Sequence, residues 1–267
     1  MRLSVGPYNE AMTCLKVWAG AAAGALGVLL CGCNRPAAES GRPDFFPLHS
    51  EDTWVYEVAR PLRNLRSRMT VRVRDERYIR ALGRRCRLVD ESYESEETPF
   101  DTPDTEASAR PEIYPVAYCH KDGFLHRTLS LEYQGDEVHE VGLGSNEERF
   151  LPDGLGGDLA WDSLTTAYDL GGGNGYGVRQ SHHTVIEPTA VDVPAGRFTG
   201  CVRVDTVALQ AGRRDGRDDG EALVLYYSDW YAPNVGLVRT RQSNRPDGGP
   251  AVAQIELLAY DVEGAKR

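Results

Sequence analysis

The sequence predicts an all-β fold, an antiparallel open barrel (or half-barrel) or sandwich, behind an N-terminal signal segment. Three observations predict it. Apolar and polar residues alternate with period two in Thr70-Val71-Arg72-Val73-Arg74, Val202-Arg203-Val204-Asp205, Leu237-Val238-Arg239 and Ile255-Glu256-Leu257. Such alternation buries one face and wets the other, as antiparallel strands do. Turn signals separate these runs at Lys121-Asp122-Gly123, Gln134-Gly135-Asp136, Pro194-Ala195-Gly196 and Pro246-Asp247-Gly248-Gly249. No segment keeps a helical apolar stripe beyond about two turns, and the pattern amounts to roughly ten to twelve strands.

The first element is the targeting segment, residues 1–32. The apolar run Leu15–Leu30 has Lys16 as its nearby positive charge. At roughly 16 residues it is short for a bilayer span, which needs about 20, and suits a signal peptide. Translation from Met12 instead of Met1 would give a tidier leader, because residues 1–11 include Pro7, Asn9 and Glu10. Leu30-Cys31-Gly32-Cys33 reads as a lipoprotein cleavage box in which Cys33 becomes the acylated N-terminus. An uncleaved anchor helix is the alternative. Asn34, where Asp commonly retains Gram-negative lipoproteins at the inner membrane, favours the outer membrane. Several acyl chains hold a protein far more firmly than one.

Residues 33–43 form a polar tether and 44–263 the β-rich ectodomain. The net charge is −10, and removing residues 1–32 takes away a net +1 (Arg2, Lys16, Glu10), leaving −11. That excess argues against nucleic-acid binding, which needs a basic footprint. Within the ectodomain, Phe46-Pro47-Leu48 precedes Trp54 as Phe150-Leu151-Pro152 precedes Trp161. Each Trp is followed by a Cys (Cys86, Cys201) and then a Tyr-to-Gly hairpin, Tyr118–Gly123 and Tyr231–Gly236. Two similar halves, 44–149 and 150–263, are expected. Asp90–Arg110 reads as a long acidic loop too poor in apolar residues to order itself, and Gly212–Gly220 as a mobile hairpin tip.

Three thiols remain past Cys33: Cys86, Cys119 and Cys201. In an oxidising compartment one bridge and one free thiol are expected. Cys86–Cys119 is favoured, because strands pairing antiparallel across the polar segment Ser95–Arg110 would set them face to face. Cys86–Cys201 is the second choice. No Cys-x-x-Cys or Cys-x-x-His spacing supports a metal site.

Other chemistry finds little support. Eleven arginines lie from Arg60 to Arg87, either an anion-binding surface or, as preferred, a wet face neutralised by the acidic loop. Solvated pairs of that kind stabilise little. His182 and His183 point to opposite faces of a strand and cannot readily share an ion; His120, His126 and His139 are scattered. Asp215, Asp218, Asp219 and Glu221 lack calcium-loop spacing. Gly171–Gly175 leads into a strand rather than a helix, so it is no phosphate cradle. Ser163, Ser181 and Ser228 lack a nucleophile-elbow setting. The aromatics Trp54, Tyr56, Trp161, Trp230 and Tyr231 pack a β core or line an apolar groove.

Three segments together resemble an uncharacterised family of bacterial lipoproteins and secreted β-domain proteins. They are Phe46-Pro47-Leu48 with Trp54-Val55-Tyr56, Val193-Pro194-Ala195-Gly196-Arg197-Phe198, and Trp230 through Val238. The match spans most of residues 44–263, departing where Ser50-Glu51-Asp52 replaces the usual Gly before the Trp. The resemblance implies a barrel-like antiparallel domain and supplies no catalytic residue.

The expected function is a membrane-anchored cell-envelope lipoprotein, held through Cys33, with a non-catalytic binding or structural role. Lipid, glycan or envelope protein are the expected partners, with no cofactor and no metal. The alternative is an envelope hydrolase using Asp158, Asp162 and Asp169 around Trp161, in which two carboxylates would face each other across a cleft.

Overall fold

A computed structural model describes residues 43–80, 82–95, 112–128, 131–135, 137–140, 147–168, 175–214, 217–263 and 265. The signal segment, Cys33, Asn34 and Asp169 lie outside these residues. The strands are β1 (Thr53–Arg60), β2 (Leu65–Ile79), β3 (Arg84–Ser95), β4 (Glu112–Lys121), β5 (Phe124–Thr128), β6 (Leu131–Gln134) and β7 (Glu137–Glu140). They continue with β8 (Glu147–Pro152), β9 (Ala160–Tyr168), β10 (Gly175–Val193), β11 (Gly196–Arg214), β12 (Arg217–Ala232), β13 (Gly236–Ser243) and β14 (Ala253–Asp261). A single 3-10 turn, Pro61–Arg63, joins β1 to β2.

Twelve strands form one antiparallel sheet in the order β8-β5-β4-β3-β2-β1-β14-β13-β12-β11-β10-β9. It curls into a nearly closed barrel. The two free edges, β8 and β9, follow each other in the chain, and across the seam Phe124 and Trp161 stand 6.4 Å apart. The sheet consists of two runs of six neighbouring strands, β9–β14 and β1–β5 with β8, sewn together where β1 pairs with β14. Trp54 and Trp161 open the two runs, Cys86 and Cys201 sit on the third strand of each, and the Tyr118 and Tyr231 hairpins join the fourth to the fifth.

Alternation decides what is inside. On β1 the even positions Trp54, Tyr56 and Val58 are buried while Thr53, Val55 and Glu57 are only partly so. Outside lie ion pairs such as Arg66–Glu57, Arg72–Glu51 and Arg85–Glu76. A charged exterior is the reverse of the apolar-out pattern of a membrane-spanning barrel. These partners sit on the strands themselves or just before β1. Arg74 pairs with Asp90, the first residue of the acidic segment.

One end of the barrel is closed by the residues that follow the tether. Phe46 packs against Tyr118, Phe150 and Tyr231 at centroid distances of 5.2, 5.1 and 6.4 Å. Asp44 and Asn234 exchange two hydrogen bonds. Buried Asp52 accepts from the backbone N–H of His49 at 3.0 Å and of Glu263 at 2.8 Å, tying this plug to the C-terminal strand. At Gly236, with φ +98°, a Cβ would meet Pro47 and the Trp54 ring at an ordinary 3.7 Å, so glycine is needed there for its backbone conformation.

A second, smaller core lies outside the barrel wall. Ile79, Cys86, Leu88, Ala117, Cys119 and Leu131 form it, with Val138 against them, under the β6–β7 hairpin. Cys86 and Cys119 are disulfide-bonded across β3 and β4, their Cα atoms 4.6 Å apart. Cys201 is a buried free thiol on the other run, and burial pushes it up to about 11, which keeps it unreactive.

Two sequence expectations are corrected. Asp90–Arg110 is not a loop from its first residue, because β3 continues to Ser95. Its first acid, Asp90, accepts from Arg74 Nε at 2.6 Å and from the Tyr133 hydroxyl at 2.5 Å. Residues 96–111 lie outside the described residues. Gly212–Gly220 is mostly strand, since β11 runs to Arg214 and β12 restarts at Arg217. Cross-strand pairing between two long neighbours overrides the glycine and charge content there.

Candidate functional site

The inward faces of the strands enclose a lumen of about 450 Å3, within the range of small-molecule sites. Its base is apolar, built on Phe46, Leu48, Trp54 and Leu151. Towards the other end the walls are Met69, Val178 and Leu225. There it reaches solvent beside Tyr93, which is 37% exposed and meets Tyr114 edge-on at 5.9 Å.

Between these apolar zones lies a belt of charge: Glu91 on β3, Arg127 on β5, Glu148 on β8 and Asp229 on β12. Each has the strand parity of an inward apolar neighbour, Glu91 with Val89, Arg127 with Leu125, Asp229 with Tyr231. Arg127 donates from Nε to Glu148 Oε1 at 2.6 Å and from Nη2 to the same carboxylate, with its guanidinium 4.6 Å over the Phe150 ring. Burial alone would lower Arg127, but Glu148, Tyr118 and Glu91 outweigh it and hold the guanidinium above its ordinary value. Burial pushes the Glu91 carboxyl up against the pull of Arg127. Asp229 accepts from the Thr240 hydroxyl at 2.6 Å, yet burial pushes it up to about 6.

His182 also lines the lumen. Its Nε2 meets Ser163 Oγ at 3.0 Å and its Nδ1 meets Thr206 Oγ1 at 2.8 Å. It stacks on Trp161 with centroids 4.8 Å apart. Burial pushes it down to about 4, so the ring is neutral with one nitrogen donating and one accepting. A Ser–His contact is the beginning of a nucleophile–base pair. Here Ser163 is buried, the group behind the histidine is a threonine rather than a carboxylate, and the chain of hydroxyls stitches β9, β10 and β11 together.

The lumen gathers three of the five aromatics singled out from the sequence: Trp54, Tyr56 and Tyr231. The Trp54 indole N–H donates to Val235 O at 2.6 Å and the Tyr56 hydroxyl to Leu237 O at 3.0 Å. Trp161 sits at the seam, lining a separate depression of about 620 Å3 with Asp162, Ser181, His183 and Arg241. Trp230 faces outward, with the Arg239 guanidinium 5.9 Å from its ring. Of the hydrolase candidates, Asp158 is exposed, and exposed Asp162 accepts from the Ser181 hydroxyl at 2.7 Å. Among the described residues no three His, Cys, Asp or Glu side chains stand together as metal ligands. The charged belt escapes a reading of the sequence alone; charge at inward strand parity is the available signal.

The displaced titrations of Asp229 and His182 oppose each other. Between about pH 6 and 4 the folded protein holds a proton on Asp229 that the unfolded chain lacks, which raises stability as pH falls. Between about pH 6.5 and 4 the unfolded chain protonates His182 and the folded protein does not, which lowers it. Asp229→Asn removes the first effect only. Relative to the parent, this variant is expected to lose about 3 kcal/mol between pH 6.5 and 4, the free energy of holding one proton across roughly two pH units. Urea unfolding of both proteins at the two pH values measures it; parallel pH profiles would contradict the assignment.

No protein-family profile and no curated protein sequence matches the chain. Two solved structures are similar. One is a candidate lipoprotein of Parabacteroides distasonis, with TM-score 0.46 and 18% identity over 82% of this chain and 99% of that one. The other is a candidate exported protein of Bacteroides fragilis with a YmcC-like fold, with TM-score 0.43 and 12% identity over the same shares.

Proposed function

We propose that this protein is a lipid-anchored component of the bacterial cell envelope that binds a small amphiphilic molecule inside its barrel, without transforming it. The observation that carries the reading is the lumen itself, about 450 Å3 of mostly apolar wall interrupted by one belt of charge. Apolar zones above and below suit a tail, and the belt suits a polar head. The cleavage box ending at Cys33 supports the anchor, and Asn34 favours the outer membrane.

Two measurements test this. Cys33→Ala should abolish labelling by palmitate analogues and release the protein from the membrane fraction; equal labelling of variant and parent would remove the anchor. Native mass spectrometry of the mildly extracted full chain should show a bound small molecule. Ala208→Trp or Val178→Trp, each filling the lumen while keeping the parent's β-sheet circular dichroism, should lose it. No adduct on the parent, or adducts unchanged in both variants, would overturn the lumen as the site.

A further inference from the structure

We infer that the head group of the lumen's ligand is cationic, an amine or quaternary ammonium on an apolar tail. This rests on the lumen-binding reading above and asks what head the belt accepts. The lining carries three carboxylates, Glu91, Glu148 and Asp229, and two guanidiniums, Arg127 and Arg149. Arg127 is committed to Glu148 through two donors. Arg149 is exposed and lies 5.3 Å over the Phe124 ring at the seam. Glu91 and Asp229 are left without an ion pair among the described residues.

Among the described residues each of these two carboxylates has one hydroxyl donor, Tyr93 to Glu91 Oε2 at 3.3 Å and Thr240 to Asp229 Oδ1 at 2.6 Å. An ionised carboxylate accepts up to about four hydrogen bonds, so most of their capacity is unused. They stand on β3 and β12, five strands apart round the sheet, and so face each other across the lumen. Burial already disfavours their charge. An anionic head would add a like charge in the same low-dielectric space, where such repulsion costs most. A cationic head would meet two carboxylates and the rings of Tyr56, Tyr118, Tyr227 and Tyr231, whose faces attract cations.

The test is a head-group series with one tail: decyltrimethylammonium, decanol and decanoate, titrated at pH 8 into the extracted full chain and read by native mass spectrometry. The ammonium compound should bind about tenfold more tightly than the alcohol and about a hundredfold more tightly than the carboxylate, each tenfold step being 1.4 kcal/mol. In the isosteric variant Glu91→Gln/Asp229→Asn, the preference for ammonium over alcohol should shrink to within about threefold. Equal binding of all three, tighter decanoate, or an unchanged preference in the variant would overturn the cationic head while leaving lumen binding intact. Binding of none of them would overturn both.

Discussion

Arg127→Met should destabilise the protein by about 3–5 kcal/mol, the usual cost of leaving one member of a buried ion pair uncompensated. The partner left behind is Glu148, 3% exposed, whose carboxylate receives two of the guanidinium's donors. Arg127 also supplies the positive charge that pulls against the displacement of Glu91 and Asp229, so its loss is felt on facing walls of the barrel. Replacing both members, Arg127→Met/Glu148→Leu, should restore most of the stability, because apolar side chains of similar volume fill the site without a stranded charge. Urea unfolding of the parent, both single variants and the double variant measures the coupling. A double variant as unstable as Arg127→Met would show that the pair is not the cause.

The second large effect is expected at the disulfide. Cys86 and Cys119 are separated by 33 residues, and a loop of that length raises the unfolded chain's constraint by about 4 kcal/mol in the loop-entropy account. Cys86→Ser/Cys119→Ser should therefore lower stability by about that amount, and dithiothreitol should lower the parent's melting temperature but not the variant's. Cys201→Ser should leave the reductant's effect unchanged, since that thiol is buried on the other run of strands. Sensitivity to reductant surviving in the Cys86→Ser/Cys119→Ser variant would contradict the pairing. Because the bridge lies in the satellite core beneath β6 and β7, the lumen's ligand affinity should change little.

How much of this is legible in the sequence differs from element to element. The alternation Thr70 to Arg74 marks β2 and reads correctly because period two is a local property of the chain. The tip at Gly212–Gly220 and the segment from Asp90 mislead for the opposite reason. Polar composition predicts loops only when no partner strand is near; β2 and β4 pair with the segment from Asp90, and β10 and the β11–β12 pairing supply partners at the tip. Trp230 and Tyr231 show the limit most clearly. Adjacent in the chain, they lie on opposite faces of β12, and a bulge between Trp230 and Tyr231 adjusts the register there. No local pattern says which of the two looks inward.

By itself the sequence determined the strand content and the turn chemistry, both properties of residues close together along the chain. Only the tertiary structure decided that the sheet nearly closes, since β1 meets β14 some two hundred residues away. That closure turns one face of every strand into a shared interior. With it, Glu91, Arg127, Glu148 and Asp229, unremarkable where they stand in the chain, become a single belt of charge in a low-dielectric space.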